Sequence, residues 1–461
     1  MKTVAAKRKE GQAVKHNLLQ LPPDLLDKSS SSDPKDEGPD SKEGRKRRQA
    51  EIAPRRRWAS QGVAMPMPVS GLELIVRESG IHLLDLSALT TIHIGAVASL
   101  RLSADPSLLS RLLSCRQDSY MEFVYSRYGF WRCLDQALLS LILRVQQLLM
   151  PQKAKPAAVV WATYSRALSS LQDALKDKDT WSAPEVLCAA EILARFELLG
   201  KGVSGWMPHI WGAARLLRLR GPNQYLSDFE KTLFTTLSGP IICESFLTNK
   251  GCFLGEEIWS NLRLSMAKED GTLSSMCRIG IGLAMEISKT PGIGRQITDM
   301  ICSDEPIDES QLAIVLAETR ECRSGLLTWK AELYSALTLK KKLTTAELLI
   351  DRRYEHVGTA LAGSISMARL LGCISPHERA LLEEEAILCS HELLDLVSRI
   401  SLLNYSAGFY LEQKSIFARG VLNTTDIWEP SLRSGKLIER WKFERWCDAM
   451  GRMTTDYSRG L

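Results

Sequence analysis

No two of the eleven cysteines stand at CxxC spacing, and their number is odd. They occur singly at 115, 133, 188, 243, 252, 277, 302, 322, 373, 389 and 447, mostly inside apolar segments such as EVLCAAEIL. That is how buried thiols are used in a reducing compartment, and it argues against a disulfide framework. The N-terminus carries lysines with no apolar segment behind them, so no secretory signal is expected. Without that route the sequons at Asn404 and Asn423 are chance matches. Long apolar runs are also missing. The longest uncharged stretches, Trp58–Leu72 and Leu86–Leu100, run about fifteen residues, short of the ~18 a membrane-spanning helix needs. With 30 glycines and 18 prolines in 461 residues, collagen-like and wholly disordered chains are excluded.

The spacings that catalysis requires are scarce. There is no GxxxxGK[ST] phosphate loop, no GxSxG elbow and no DDxxD motif of the kind an all-helical, metal-dependent cyclase would use. One GxGxxG string, Gly200 to Gly205, follows a helical stripe rather than a strand, so it reads as a helix–helix loop and not a dinucleotide site. His391-Glu392-Leu-Leu-Asp395 lacks the second imidazole of a zinc helix. Cys373, His377, Cys389 and His391 make a zinc-compatible ligand set. However, Cys389 and His391 are two residues apart on an expected helix, about 200° around it, and point to opposite sides. Glu383, Glu384 and Glu385 splay around the same helix and are expected to be a solvated face. His209 is expected to be a hydrogen-bonded core residue. No catalytic residue, cofactor or metal is therefore assigned, and the chain is not expected to be an enzyme.

What is present is a helical body behind a basic tail. Residues 1–62 include SSSSDPKDEGPDSKEG and are expected to form a disordered linker. Their fifteen Lys and Arg against nine Asp and Glu more than account for the whole chain's net charge of +5. The cations cluster as Lys7-Arg8-Lys9, Arg45-Lys46-Arg47-Arg48 and Arg55-Arg56-Arg57, an arrangement resembling a nuclear-localisation sequence that could also touch phosphate backbone nonspecifically.

From 70 to 450 the pattern predicts a single large, irregular, all-α domain. Tyr164, Leu168, Leu171 and Leu175 share one helical face. So do Leu187, Ala190, Ala194 and Leu198 behind Pro184, and Trp206, Ile210, Ala213 and Leu217 before a stop at Gly221-Pro222. Further helices are expected at 107–128, 131–150, 226–248, 254–267, 273–288, 308–336, 343–371, 377–403 and near 435–450. Thr91–Val97 is the best strand candidate, and a weak one.

Residues 164–222 strongly resemble the regulatory domain of fungal-specific transcription factors, the helical region that follows binuclear zinc-cluster fingers. The resemblance runs through Tyr164…Ala167-Leu168…Leu171 and an apolar helix ending Phe196-Glu197. It continues through Trp206-x-x-His209-x-x-Gly212-Ala213, then Leu216-Leu217 and Arg220-Gly221-Pro222. Tyr354…Ala360…Ile365…Ala368-Arg369-Leu370-Leu371 is similar to the family's late helix. The resemblance covers about 75–430. The six-cysteine finger is absent from these 461 residues, so no DNA-reading residue is carried over.

The resemblance implies a nuclear regulator of RNA polymerase II genes, in such families often tied to metabolic clusters. Its implied partners are the transcription machinery or co-regulator proteins, and it admits a homodimer. DNA contact would be indirect, or nonspecific through the tail, and no membrane is involved. For Tyr164, Glu197, Trp206, His209, Gly212, Ala213 and Gly221 a packing role is expected. The competing reading is a helical scaffold that stays outside the nucleus.

Overall fold

The computed structural model describes residues 69–455, apart from 93, 117, 201–204, 226, 269–274, 305 and 339–352. The basic tail, with its clusters at 7–9, 45–48 and 55–57, lies outside the described residues. Among those described there are eighteen α-helices and no strand.

The first half comprises α1 (Val69–Ser79), α2 (Ser87–Thr91), α3 (Ala96–Ala104), α4 (Pro106–Leu113), α5 (Met121–Val124), α6 (Arg132–Leu149), α7 (Ala157–Lys176), α8 (Pro184–Leu198), α9 (Met207–Arg220), α10 (Asp228–Leu247) and α11 (Glu257–Lys268). The second half comprises α12 (Ser275–Cys302), α13 (Glu309–Thr338), α14 (Arg353–Ile374), α15 (Arg379–Ile400), α16 (Tyr405–Leu422), α17 (Thr425–Trp428) and α18 (Arg440–Met450).

Local chemistry sets many of the ends. Pro184 opens α8, where its missing N–H costs nothing. Ser227 and Glu230 form a reciprocal capping box at the start of α10. Beyond Arg220, Gly221 takes a left-handed φ of 72° and stops α9. The side chain of Asn404, buried, accepts from the Ala407 N–H at 2.9 Å and starts α16.

Three expectations need correction. The helix expected over 107–128 is broken. It ends at Leu113 and resumes as the single turn α5, because Ser119 Oγ accepts from the Met121 N–H at 3.1 Å and competes with the helix. Thr91–Val97 is not a strand. Ile92 and Ile94 are core residues of a connector between α2 and α3, and the Ile92 carbonyl is held by Arg195 Nη1 at 2.5 Å rather than by a neighbouring strand. The helix expected to end at 288 runs on to Cys302, through Pro291. Proline removes the N–H that would reach the Ile287 carbonyl, and the Thr290 hydroxyl supplies the missing donor at 2.8 Å.

The helices pack around two hydrophobic cores. The first gathers residues from Ile81 to Leu262, with α8 buried on nearly every side. The second runs from Phe246 to Met450 around α14. α14 is long and apolar enough to cross a membrane, but 94% of its most apolar window is covered by the rest of the fold. It is a central core helix, whose buried Leu and Ile side chains are each worth roughly 1.5–3 kcal/mol.

Two features tie the cores together. Helix α16 gives Phe409 to the first core and Leu411 and Phe417 to the second. Past α18, the buried Arg452 donates to the carbonyls of Phe246 and Gly294, to Asn249 Oδ1 and to Thr298 Oγ1, at 2.8–3.1 Å. The Met453 N–H donates to the Leu247 carbonyl at 2.7 Å.

Candidate functional site

The residues that carry the sequence resemblance converge where α7, α8 and α9 meet. Tyr164 on α7 and Phe196 on α8 stack with centroids 4.3 Å apart and planes 11° apart. Trp161, half-exposed, lies edge-on to both rings at 5.7 and 5.4 Å. The Tyr164 hydroxyl and the buried His209 Nε2 on α9 are hydrogen-bonded at 3.0 Å. Burial drives the Tyr164 phenol's pKa far up, and the charge and hydrogen bond of Glu197 push the same way. The phenol therefore stays protonated, with its hydroxyl tied to His209.

Glu197 also explains one glycine of the GxGxxG string. A Cβ at Gly205 would lie 2.5 Å from Glu197 Oε2, so a side chain at that position would have to displace the Glu197 carboxylate. Residues 201–204 of that string lie outside the described residues. Arg144 of α6 donates from Nε and Nη2 to the Leu199 carbonyl at 3.2 and 2.7 Å, which satisfies the end of α8. Trp206 and Ala213 are buried in the first core, and Gly212 is half-buried. Beyond Gly221 the chain is pinned by an ion pair, Arg220 to Glu230 at 2.5 Å, buried on both sides.

Several charged residues with no special sequence signal turn out to be interior ties. On α8, Glu191 and Arg195 are 0% and 1% exposed and pair at 2.6 Å. Arg195 also donates to the Ile92 and Thr90 carbonyls, and the Tyr120 hydroxyl donates to Glu191. In the second core, Arg369 of the late-helix motif grips Glu383 through two bonds of 2.9 and 2.5 Å and lies 4.1 Å over the Trp428 ring. Arg379 holds the carbonyls of Gly372, Ser431 and Lys436 at 2.6–2.8 Å.

The acidic run Glu383-Glu384-Glu385 is therefore not a uniformly solvated face. It splays around α15 as its spacing requires, but Glu383 is buried on Arg369 and Glu385 pairs with Arg323 of α13, leaving Glu384 exposed. Cys373 and Cys389 are buried while His377 and His391 are exposed. Among the described residues no group of three His, Cys, Asp or Glu is placed to hold a metal.

A cleft opens at the seam between the cores. It is lined by α10, α12, α14 and α16, and its volume is about 70 Å³. Its walls include Ile242, Phe246, Ile287 and Phe417, and its polar lining includes Tyr410 and Lys414. Tyr410 and Thr359 share a hydrogen bond of 2.8 Å. The two polar residues on α16 lie outside every helix expected from the sequence. The signal that could have found them is the Asn404 cap followed by Ala407, Leu411 and Ala418.

Among known proteins, the chain is similar to an uncharacterized protein of Emericella nidulans, AN5342, with 29% identity over 168 residues. That match covers 35% of this chain and 36% of the relative, so the chain aligns with about a third of the relative's length. No family model matches the chain, and no solved structure matches it.

Proposed function

We propose that the protein is a fungal nuclear transcription regulator of RNA polymerase II genes, acting through its helical body and without a DNA-reading finger of its own in this chain. The observation that carries this reading is the α7–α8–α9 junction. Tyr164, Phe196, Glu197 and His209, the residues on which the resemblance rests, make direct contact there although they come from three helices. Motif members that pack on one another support the resemblance better than a scattered amphipathic stretch would. The fungal relative agrees in source. The basic clusters at 7–9, 45–48 and 55–57 supply the charge an importin-type receptor would read.

The role is non-enzymatic. This part of the reading rests on the absence of catalytic spacings in the sequence, and the junction's Tyr164 and His209 are buried and hydrogen-bonded to each other. DNA is reached through a partner protein or through nonspecific phosphate contact by the tail.

Two experiments on the full chain test the reading. A fluorescent fusion in a filamentous fungus is expected in the nucleus, and a fusion lacking residues 1–62 in the cytoplasm. A cytoplasmic signal from both would sink it. The full chain tethered to a heterologous DNA-binding domain is expected to change transcription of a reporter carrying that domain's sites. No change in either direction would remove the regulatory role.

A further inference from the structure

α13 and α15 are linked side chain to side chain. Arg323 pairs with Glu385 and Lys330 with Glu392, each pair 62 residues apart in sequence, and Arg320 pairs with Glu378. A constant offset of this kind marks two parallel helices held rung by rung. One rung carries more than an ion pair. Lys330 Nζ donates to Glu392 Oε2 at 3.0 Å and to the Cys389 sulfur at 3.5 Å. The Tyr334 hydroxyl donates to the other oxygen of Glu392, so that carboxylate is held between a phenol and an ammonium. Cys389 lies four residues after Glu385 and three before Glu392, on the face of α15 turned to α13.

These neighbours differ in exposure. Cys389 is 3% exposed, while the Lys330 side chain is 20% and the Glu392 side chain 35% exposed. The sulfur is therefore one side chain away from solvent. At rest the pair is a thiol and an ammonium. Burial pushes the Cys389 thiol up, against the opposing charge of Lys330. Burial by itself would lower Lys330, but Cys389 and Glu392 outweigh it and raise it. Cys447 offers a contrast, because its sulfur accepts from Arg452 Nη1 at 3.3 Å. A guanidinium keeps its proton and does not become a nucleophile. A lysine can lose one, and Glu392 is placed to take it.

We propose that Cys389 and Lys330 are a peroxide-driven modification site, at which oxidation ends in a covalent bond between the Cys389 sulfur and the Lys330 nitrogen. The sulfur first attacks peroxide. An S–O bond forms, the O–O bond breaks, sulfur loses two electrons, and hydroxide leaves with the thiol proton as water, giving a sulfenic acid. The Lys330 ammonium passes one proton to Glu392. The amine then attacks the sulfenic sulfur: an S–N bond forms, the S–O bond breaks, and hydroxide leaves with an amine proton as a second water. One peroxide is consumed, and the linked pair carries two hydrogens fewer than the thiol plus the amine. The product joins α13 to α15 covalently where an ion pair alone had bridged them. The proposal is independent of the transcriptional reading.

The test uses the full chain. It is treated with hydrogen peroxide, remaining thiols are alkylated, and a tryptic digest is read by mass spectrometry with and without dithiothreitol. The expected product is a peptide containing Cys389 joined to one containing Lys330, lighter than their sum by two hydrogens and separated by the reductant. In urea the yield should fall roughly tenfold or more, because the two groups are no longer held together. Lys330→Arg keeps a cation beside the sulfur and should lose the link, as should Cys389→Ser. No linked pair in the folded chain, Cys389 recovered as a sulfinic acid or in a disulfide instead, or an equal yield in urea would each overturn the proposal. Should Lys330→Arg fail to fold, the comparison of the parent chain in buffer and in urea decides alone.

Discussion

Replacing Arg195 with methionine keeps most of the side-chain volume but strands a charge. Glu191, fully buried, would lose its guanidinium partner at 2.6 Å and keep only the Tyr120 hydroxyl. The carbonyls of Thr90 and Ile92 would lose their donor as well. Removing one member of a buried ion pair costs about 3–5 kcal/mol, because the remaining charge is uncompensated. The double variant Glu191→Gln/Arg195→Met strands no charge. Its remaining cost is two orphaned carbonyls, about 1 kcal/mol each.

The double variant should therefore be more stable than the single Arg195→Met. The first core runs from Ile81 to Leu262 with Phe409 added from α16, and for a unit of about that size about 2–4 °C of melting temperature corresponds to 1 kcal/mol. Arg195→Met is then expected to melt roughly 6–20 °C below the parent, and the double variant to recover about half of that. The assay is thermal unfolding followed by circular dichroism, with native-state hydrogen exchange of α8 as a second readout. If the double variant melts at or below the single, the cost does not come from the stranded Glu191 charge, and the reading of this network as a charge tie is wrong.

Glu244 is buried with no compensating charge, and desolvation raises its carboxyl to about 8. The folded state then holds a proton that the unfolded chain releases near pH 4.5, so stability falls as pH rises from about 4.5 to 8, by up to ~1.4 kcal/mol per unit. Glu244→Gln should flatten that part of the melting-temperature profile, and an unchanged profile would refute it. A Cβ at Gly282 would sit 2.0 Å from Trp329 Cζ2. Gly282→Ala should therefore cost about 1–3 kcal/mol by overpacking, read as a lower urea midpoint; an unchanged midpoint would refute the overpacking. Burial raises the thiols of Cys133 and Cys322 to about 12. At pH 8 both should resist a disulfide reagent in the folded chain and react after denaturation, as counted by mass spectrometry.

Helices were legible where an apolar stripe recurs at helical spacing, even on α8, which is buried on nearly every side. α6 and α13 fall within two residues of the ranges their periodicity predicts, because each presents a single apolar stripe. α16 was not legible, because it packs against both cores. Its stripe Ala407, Leu411 and Ala418 is blurred because Phe409 and Phe417 are buried on other sides of the same helix. The start of α5 and the continuation of α12 through Pro291 involve a side chain acting on the backbone, Ser119 in one case and Thr290 in the other, and hydrophobic periodicity carries no trace of such bonds. At the α7–α9 junction the members could be named from the sequence, but not their contacts. That Tyr164 would reach His209 and Phe196 at once depends on the crossing of three helices.

The buried arginines mark the limit of reading charge from sequence. Arg195, Arg369, Arg379 and Arg452 look like ordinary surface cations, yet all four are buried and three of them donate to backbone carbonyls. An irregular helical body has many helix ends and connectors, and each end leaves carbonyls that no helix satisfies. Guanidinium, with five donors in a plane, can collect several of them at one point. Arg379 does so for the segment after α17, and Arg452 for the ends of the two cores. In this fold arginine does the work that a strand or a disulfide does elsewhere. Ten of the Lys and Arg among the described residues are buried in this way, while the tail concentrates fifteen Lys and Arg against nine Asp and Glu in its 62 residues.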